Sequence, residues 1–265
     1  MTDVGVFERN LRAWREWQEA PWGRLRYAVV GHVLSRVTAT LGEGLRILNL
    51  GGGNGGDAVP LALAGHDVTV IDPSAALLDL LARRAAAARV EVHGVQGGID
   101  TLPGLVASGG TADLVLCHNV LQYLEDVPAA VSALVSAVRP DGAVSVVGPN
   151  PAGEVLVSAV RGLDPAGALA RLDVGAVRSA TFDHDVARVD PDDLSSLLVD
   201  AGCEQPDRFG VRCVSDLVTD DERKQEPAFY ADLERLELAL CDREPFLRTA
   251  RMWQLIARRT GPSLP

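Results

Sequence analysis

The glycine-rich string NLGGGNGG, at residues 49–56, follows a short apolar run and precedes a helix-forming one. It matches two ligand-binding patterns, G-x-G-x-x-G through Gly51, Gly53 and Gly56, and G-x-G-x-G through Gly51, Gly53 and Gly55. Glycines let a backbone approach a ligand closely, and the free N–H groups at the start of a helix attract anionic groups. Because similar strings also occur in structural turns, the glycines alone indicate a binding site only weakly.

Asp72 is a second candidate binding residue that supports the glycine string. It ends the next apolar run, HDVTVID. An acid about 20 residues after the first glycine accepts hydrogen bonds from the hydroxyls of an adenosine ribose. Together the string and the acid predict a site for a cofactor that contains a nucleoside. NAD and S-adenosylmethionine both fit that description, so these residues leave the choice between them open.

The elements that must position this site alternate between strands and helices. Apolar runs predict strands at 45–50, 66–72, 90–93, 112–117 and 143–147. Helical spacing predicts intervening helices at 58–64, 74–88 and 127–138. Such alternation with short connections is typical of an α/β fold, in which helices cover both faces of a parallel sheet.

The N-terminal region is predicted to be helical from about residue 5 to residue 42. Its apolar residues recur at helical spacing and are Phe7, Leu11, Trp14 and Trp17. A break is expected at Pro21-Trp22-Gly23, with a second helix from 25 to 41.

The C-terminal region mixes helices and strands. The sequence predicts a helix at 191–201, strands at 208–214 and 252–258, and a helical insert at 220–248 between those strands. The apolar residues of the insert fall on one predicted face and are Phe229, Leu233, Leu236 and Leu240.

The composition excludes several classes of protein. The chain has 265 residues, a net charge of -11 and 47% hydrophobic residues, which indicates a globular protein and argues against disorder, collagen and coiled coil. The acidic balance argues against a broad nucleic-acid or anionic-membrane surface, but it leaves room for a local basic pocket. The apolar run at 127–138 is too short for a transmembrane helix, which needs roughly 20 residues.

Location and metal content follow from two further observations. Residues 1–9 include acids and lack an apolar stretch, so no signal peptide is expected and the protein is predicted to be cytoplasmic. The four cysteines contain no C-x-x-C pair, so no metal site is expected. We interpret them as free, mostly buried thiols in a reducing compartment; they are Cys117, Cys203, Cys213 and Cys241.

Four motifs, taken in order, resemble those of the class I S-adenosylmethionine-dependent methyltransferases. They are the glycine string, IDPS at 71–74, ADLVLCHN at 112–119 with the following VLQYL, and VRPDGA at 138–143. This ordered set is much more specific than the glycines, and a dehydrogenase has no reason to carry it. The resemblance implies S-adenosylmethionine as the cofactor. It also implies a Rossmann-like, mostly parallel seven-stranded sheet with helical insertions near both ends of the chain.

A narrower resemblance extends over nearly the whole chain and is loose only through 150–190. GRLR at 23–26, CH at 117–118 and CDREPF at 241–246 with Arg251 look like the family of tRNA carboxymethoxyuridine methyltransferases. That family converts a wobble-uridine carboxylate to its methyl ester. Asn49 stands where the family usually has Asp, and QGGID at 96–100 is one or two residues longer than usual.

The chain is predicted to divide into two structural units. Residues 1–42 would form a helical lid or substrate segment, and residues 43–265 the domain that binds S-adenosylmethionine. Insertions are expected in that domain at about 150–190 and 220–248.

The resemblance implies a set of cofactor contacts. Carried over to this chain, they fall on Arg26, Gly52, Gly53, Asp72, Gln96, Gly97 and His118. Neighbouring candidates are Gly51, Gly55, Pro73 and Asp100, the last of which either reaches the adenine amine or starts a helix. Arg26 is expected to bind the methionyl carboxylate of the cofactor, because a guanidinium pairs well with a carboxylate. The alternative for Arg26 is a solvated helix arginine.

Other side chains are candidates for the methyl acceptor. Trp22, Tyr27 and Tyr123 are suited to stack on a flipped base; Trp14 is a further candidate, or else a core residue. Arg243 and Arg251 would hold an acceptor carboxylate or phosphate, or carry surface charge. His118 would either line the methyl site or cap the fourth strand.

Methyl transfer is an in-line displacement in which the protein mainly aligns the reactants and excludes water. A carboxylate acceptor is already a nucleophile at neutral pH, so no essential catalytic residue is expected. The whole-chain resemblance favours a carboxyl methyltransferase acting on tRNA. The acidic charge and the divergent 150–190 stretch favour an O- or N-methyltransferase for a small molecule of secondary metabolism. A non-catalytic protein that binds S-adenosylmethionine is the third hypothesis.

Overall fold

Seven strands form one sheet in the computed structural model, which describes residues 11–172, 176–179 and 184–261. Side by side they are β3 (His93–Gln96), β2 (Asp67–Asp72), β1 (Arg46–Leu50), β4 (Ala112–His118), β5 (Val138–Pro149), β9 (Met252–Arg258) and β8 (Asp207–Val211). The first five run parallel, and β9 lies antiparallel between β5 and β8. This order confirms the predicted mostly parallel seven-stranded sheet. Two short strands, β6 (Ala176–Ser179) and β7 (His184–Ala187), pair separately.

Helices cover both faces of the sheet. They are α1 (Leu11–Glu19), α2 (Pro21–Leu41), α3 (Ala58–Leu63), α4 (Ala75–Ala88), α5 (Leu102–Gly109), α6 (Val127–Ala137), α7 (Pro151–Leu156), α8 (Pro165–Ala170), α9 (Pro191–Asp200), α10 (Pro227–Leu240) and α11 (Phe246–Thr249). Helices α2, α3 and α4 share one apolar core with Ile47, whereas α5, α6 and α9 share a second core with Leu48. Adjacent strand residues point to opposite faces, so β1 contributes to both cores. Phe7 of the predicted apolar stripe lies outside the described residues.

The predicted break at 21–23 is wrong, because these residues form the first turn of α2. Pro21 is the first residue of that helix, where a proline sacrifices no hydrogen bond since the first N–H groups lack helical partners. The chain turns one residue earlier, at Ala20, which has an extended backbone. Gly23 lets α1 and α2 meet closely, because a Cβ there would lie 2.0 Å from the backbone oxygen of Trp17.

The predicted strand at 90–93 is displaced to His93–Gln96, while the other predicted strands overlap observed ones. Helix α4 ends at Arg89 in the left-handed conformation, with φ of 56°. The half-buried side chain of Val90 then packs against the core before the strand begins. Parallel pairing with β2 sets the register and places the end of β3 beside Asp72.

The insert at 220–248 contains helices as predicted, but one of its buried positions is charged. Leu236, on the predicted apolar face, is 45% exposed, whereas Glu237 is fully buried. The Glu237 carboxylate accepts hydrogen bonds from the backbone N–H groups of residues 213–215 at 2.5–3.0 Å. Because these three donors replace its hydration, the charge is tolerated in the interior. Glu237 thus fixes the loop that follows β8.

The stretch at 150–190 contains α7, a π-helical turn at Val157–Arg161, α8 and the β6–β7 pair. It is joined to the second insert by an ion-pair cluster, in which Arg161 and Lys224 both donate to the carboxylate of Asp221. Arg161 also donates to the backbone oxygen of Val218 at 2.8 Å. The two inserts therefore contact each other beyond the carboxyl end of the sheet.

Three general findings concern the described part of the chain. No helix within the described ranges combines the length and the apolar character needed to cross a membrane. In the same ranges, no group of three or more side chains is arranged to hold a metal ion. The four cysteines are free and buried, as predicted, and burial raises the pKa of Cys117 to about 12.

We expect Glu237 to contribute more to stability than its apolar neighbour. Glu237→Leu would leave three backbone donors without a partner and lower the free energy of unfolding by about 3 kcal/mol. Leu236→Ala, the matched control on the same helix, would lower it by less than about 1 kcal/mol because the side chain is exposed. Urea unfolding followed by circular dichroism measures both variants, and equal losses would contradict the assignment.

Candidate functional site

A cavity of about 210 Å³ lies at the carboxyl ends of β1, β2 and β4, the edge where ligands bind in open α/β sheets. The last residues of these strands, Leu50, Asp72 and His118, line it. The predicted residues that line it are Arg26, Gly51, Gly52, Gly53, Asp72, Pro73, Gly97, His118, Tyr27, Tyr123 and Trp14. The predicted residues outside its lining are Gly55, Gln96, Asp100, Trp22, Arg243 and Arg251.

The glycine loop has a backbone conformation that side chains disfavour. Gly51 and Gly53 have φ values of 64° and 55°, in the left-handed region. A Cβ on Gly51 would lie only 2.3 Å from a methyl carbon of Val120. The N–H of Gly53 donates to Asp72 Oδ2 at 2.9 Å, so the loop and the predicted ribose acid are fixed together. Trp14 of α1 lies over Gly53, 3.4 Å from where its Cβ would be.

Asp72 retains capacity to accept hydrogen bonds from a ligand. Its Oδ2 accepts from Gly53 and its Oδ1 from the N–H of Ser74, both at 2.9 Å. Burial raises the pKa of Asp72, and these two backbone hydrogen bonds oppose the shift. Each carboxylate oxygen accepts about two hydrogen bonds. One position per oxygen therefore remains for a ribose hydroxyl.

Two predicted cofactor residues point elsewhere. Gly55 lies beneath the loop, where a Cβ would be 2.3 Å from a side-chain carbon of Leu81. Its role is therefore to let helix α4 pack under the loop. The side-chain amide of Gln96 donates to the backbone oxygen of Pro73 at 3.1 Å and so braces the edge of the site.

The acid at the end of QGGID is also outside the lining. Asp100 is exposed in the short turn Ile99–Thr101, while Ile99 itself lines the cavity. An apolar side chain at this point suits the face of an adenine ring, because ligand pockets are lined mainly by apolar groups. The sequence motif highlighted the acid and gave no sign that the adjacent isoleucine would turn inward.

A buried carboxylate, Asp57, joins α2 to the end of β4. Its Oδ1 accepts a hydrogen bond from Arg26 Nη1 at 2.6 Å, and its Oδ2 accepts one from His118 Nδ1 at 2.8 Å. None of the three side chains is more than 9% exposed. Burial alone would raise the pKa of Asp57, but Arg26 and His118 hold it well below its usual range. Asp57 is therefore ionised and forms the centre of the site.

Sequence reasoning did not find Asp57. It directly follows the glycine string, where an acid is ordinary at the start of a helix. Asp57 lies in the sequence between the GRLR and CH motifs, which supply Arg26 and His118. Only the tertiary structure shows that these two motifs meet at Asp57.

His118 uses both ring nitrogens within the protein. Nδ1 donates to Asp57, and Nε2 lies 2.9 Å from the hydroxyl oxygen of Ser145. The amide nitrogen of Gln254 donates to that same oxygen at 3.0 Å, and the Ser145 hydroxyl hydrogen remains available to Nε2. The ionised Asp57 places the ring proton on Nδ1, so in the neutral ring Nε2 accepts from the Ser145 hydroxyl. Burial lowers the pKa of His118 and outweighs the opposing effect of Asp57.

Arg26 is a buried cation on the cavity wall. Burial would lower its pKa, but Asp57 raises it, so the guanidinium stays charged. It lies 4.4 Å from the ring centroid of Tyr27 and donates to Asp57 through Nη1. Among the described residues, Nε and Nη2 have no acceptor, so they remain for a ligand anion.

Helix α1 is tied to the glycine loop by side-chain amides. Asn54 donates to Gln18 Oε1 at 2.7 Å, and Gln18 donates to Asn54 Oδ1 at 3.2 Å and to the hydroxyl of Tyr27. Trp14 and Trp17 of this helix line the cavity. Trp17 was not among the predicted site residues. These contacts place two indole rings on the cavity wall, and Trp14 lies over the glycine loop.

The other predicted acceptor residues are not brought to this cavity. Arg251 pairs with Glu154 at 3.2 Å, so its charge is already neutralised. Arg243 is exposed in the connection between α10 and α11. Trp22 is half-buried in the first turn of α2, and Tyr27 is the aromatic residue of that helix that lines the cavity.

The cavity fits S-adenosylmethionine by the chemistry of its lining. Asp72 offers acceptors for a ribose, and Arg26 offers donors for a carboxylate. Asn49 Nδ2 is fully buried in the wall without a hydrogen-bond partner in the described structure. An unpaired buried donor costs about 1–3 kcal/mol, so a ligand that brings an acceptor within its reach would remove this cost.

Comparison with known sequences places the chain among methyltransferases. Residues 47–142 match the family model described as a methyltransferase domain. The tRNA 5-carboxymethoxyuridine methyltransferase of Escherichia coli K12 is 32% identical over 243 residues, which cover 89% of each chain. A ubiquinone biosynthesis O-methyltransferase of Rhizobium johnstonii is 31% identical over 169 residues, which cover 64% of each chain.

Solved structures show the same fold. Magnesium protoporphyrin IX methyltransferase from Synechocystis PCC 6803, crystallised with bound SAH, has a TM-score of 0.61 and 17% identity, with 98% of this chain and 96% of that chain covered. A possible histamine N-methyltransferase from Thermotoga maritima has a TM-score of 0.60 and 14% identity, with 97% and 99% covered. The family match confirms S-adenosylmethionine as the cofactor, and these solved structures show the shared fold alone.

The pKa of His118 predicts how stability depends on pH. The unfolded histidine takes up a proton near its usual pKa of about 6.5, whereas the folded ring, with its lowered pKa, stays neutral to lower pH. Its contribution is therefore fully present above about pH 6.5 and is lost as the pH falls toward the folded-state pKa.

We expect the free energy of unfolding to fall less steeply between pH 7 and pH 5 in His118→Asn than in the wild type. Urea unfolding at several pH values measures the two slopes. A variant slope as steep as that of the wild type, or steeper, would contradict the assignment of a neutral buried ring.

Proposed function

This chain belongs to the S-adenosylmethionine-dependent methyltransferases, in the family of the tRNA 5-carboxymethoxyuridine methyltransferase, and we propose that it methylates a carboxylate on a tRNA wobble uridine. The observation that carries the proposal is the engagement of His118 at both ring nitrogens. A phenol or a protonated amine must lose a proton to become a methyl acceptor, whereas a carboxylate is ionised at neutral pH.

Three other titratable side chains of the cavity support this choice. Asp57 is held by Arg26 and His118, and Asp72 is directed to the ribose side by two backbone hydrogen bonds. Tyr27 accepts a hydrogen bond from Gln18, and burial raises its pKa, so it is protonated near pH 7. These three side chains therefore favour an acceptor that arrives deprotonated.

In this proposal the chain positions the reactants and excludes water. When bound, the cofactor supplies an electrophilic methyl group. The carbon–sulfur bond breaks as the acceptor oxygen bonds to the methyl carbon, and the electron pair of the broken bond stays on sulfur. Asp72 and Arg26 would hold its ribose and carboxylate ends. Trp14 covers the loop and Trp17 lines the cavity with a second apolar ring, and exclusion of water strengthens the electrostatic contacts of the cavity. No proton moves, so His118 serves as a positioning residue.

The N-terminal segment at 1–42 is proposed to act as the lid over this reaction. Support comes from α1, where Gln18 bonds to both Asn54 of the loop and Tyr27 of the next helix. Residues 43–265 would form the cofactor domain, with the inserts at 150–190 and 220–248 beyond its acceptor edge. A tRNA acceptor also implies a cytoplasmic location.

A small-molecule O-methyltransferase is the second candidate. It is favoured by the net charge of -11 and by the ubiquinone biosynthesis relative. That relative matches over 64% of this chain, against 89% for the tRNA enzyme. The match to the tRNA enzyme is the stronger support, because it covers more of both chains.

Methyl transfer to a carboxylate can be recognised by the product. The protein is incubated with methyl-labelled S-adenosylmethionine and with two fractions of cells that lack this protein. One fraction is the tRNA, and the other contains the small molecules. We expect the label in tRNA, and we expect mild alkali to release it as methanol, because a methyl ester hydrolyses while a methyl ether or methylamine does not.

Matched variants of one strand serve as controls. Asp72→Ala would reduce labelling roughly 10–100-fold through loss of hydrogen bonds to the ribose. Asp67→Ala, which removes an exposed acid at the opposite end of β2, would leave it unchanged. Label confined to the small-molecule fraction, or alkali-stable label in RNA, would overturn the carboxylate proposal.

The rate of transfer should also be independent of pH. Between pH 6 and pH 8.5 we expect kcat to vary less than about twofold, because a carboxylate with a pKa of about 4 is ionised throughout. A phenolic acceptor with a pKa of about 10 would instead give a rate that rises about tenfold per pH unit. A titration near pH 6.5 that disappears in His118→Asn would show a catalytic histidine and contradict the mechanism.

A further inference from the structure

We propose that Asp57 binds the α-ammonium group of the cofactor, so that Arg26 and Asp57 together recognise the amino-acid end as a zwitterion. The proposal rests on the confirmed cofactor and not on the identity of the acceptor. Failure of the tRNA experiment would therefore leave it standing.

The first support is the pairing of opposite charges on one cavity wall. Arg26 Nη1 and Asp57 Oδ1 are 2.6 Å apart, and both residues line the cavity. A free amino acid carries a carboxylate and an ammonium group on the same carbon. A guanidinium beside a carboxylate presents the complementary charges at a similar separation.

The second support is the remaining capacity of Asp57. Its two oxygens each accept one hydrogen bond, from Arg26 and from His118. An ionised carboxylate accepts about four, so about two positions remain. Because Asp57 is ionised and buried, an ammonium donor there would form a charge-assisted hydrogen bond in a region shielded from water.

The third support is that the lining offers no other carboxylate beside Arg26 among the described residues. Asn49 is 1% exposed, lines the same cavity and carries no charge. Asp72, the other acid of the lining, is bonded to Gly53 and Ser74 on the ribose side. Among the described lining residues, Asp57 is therefore the carboxylate that lies beside Arg26 and can receive an ammonium group.

A ligand series tests this assignment without measuring activity. Calorimetry compares S-adenosylhomocysteine with its deaminated analogue, which lacks the ammonium group, and with 5′-methylthioadenosine, which lacks the whole amino-acid end. We expect the wild type to bind S-adenosylhomocysteine about 10–100-fold more tightly than the deaminated analogue, as for a hydrogen bond to a charged group. Equal affinities would overturn the proposal.

The variant Asp57→Asn keeps the size of the side chain and removes its charge. We expect it to bind S-adenosylhomocysteine about 10–100-fold more weakly than the wild type, while its affinities for the deaminated analogue and 5′-methylthioadenosine change less than about threefold. Asp67→Asn, at the exposed start of β2, is the matched control and should bind all three ligands like the wild type.

A purely structural role for Asp57 would give a different pattern. Loss of the fold or of the cavity would weaken all three ligands together in Asp57→Asn, and that result would overturn the assignment. Retained binding of 5′-methylthioadenosine shows that the variant is folded. If the variant is not folded, the wild-type comparison of the first two ligands still tests the proposal, because equal affinities would overturn it.

Discussion

The buried carboxylate of Asp57 is the constraint on which the rest of the site depends. A carboxylate that is 9% exposed persists as an anion only if donors replace its hydration, and here the donors come from Arg26 on α2 and His118 on β4. Removal of one partner from such a pair costs about 3–5 kcal/mol. The N-terminal helices, the glycine loop and the fourth strand are therefore held in one relative arrangement.

The same constraint decides what the site can do chemically. His118 lies at the end of β4, where a base would be useful, but its nitrogens are bonded to Asp57 and Ser145. Gln254 of the antiparallel strand β9 completes the chain of hydrogen bonds and fixes the hydroxyl of Ser145. A site built in this way holds a cofactor firmly and offers no free imidazole. It therefore suits an acceptor that needs alignment alone.

The parts that the sequence predicted are those governed by local rules. The glycine loop and Asp72 follow from strand ends and spacing, and the alternation of apolar runs predicted the sheet and most of its helices. The parts that it missed depend on contacts between distant segments. Asp57 and Glu237 occupy buried positions only because partners from other elements satisfy their charges, and Arg251 was neutralised by Glu154, 97 positions away. Hydropathy patterns treat each of these side chains as exposed.

The protonation state of the His118 ring tests the account most directly. Nitrogen-15 NMR of the imidazole nitrogens, assigned by comparison with His118→Asn, reports which nitrogen carries the proton. We predict the neutral form protonated at Nδ1 from pH 6 to pH 8, both with and without S-adenosylhomocysteine. A ring protonated at Nε2 and free at Nδ1 would show that Asp57 does not hold the ring as described, and an imidazolium ion would show that the buried ring is charged. Either result would contradict the account.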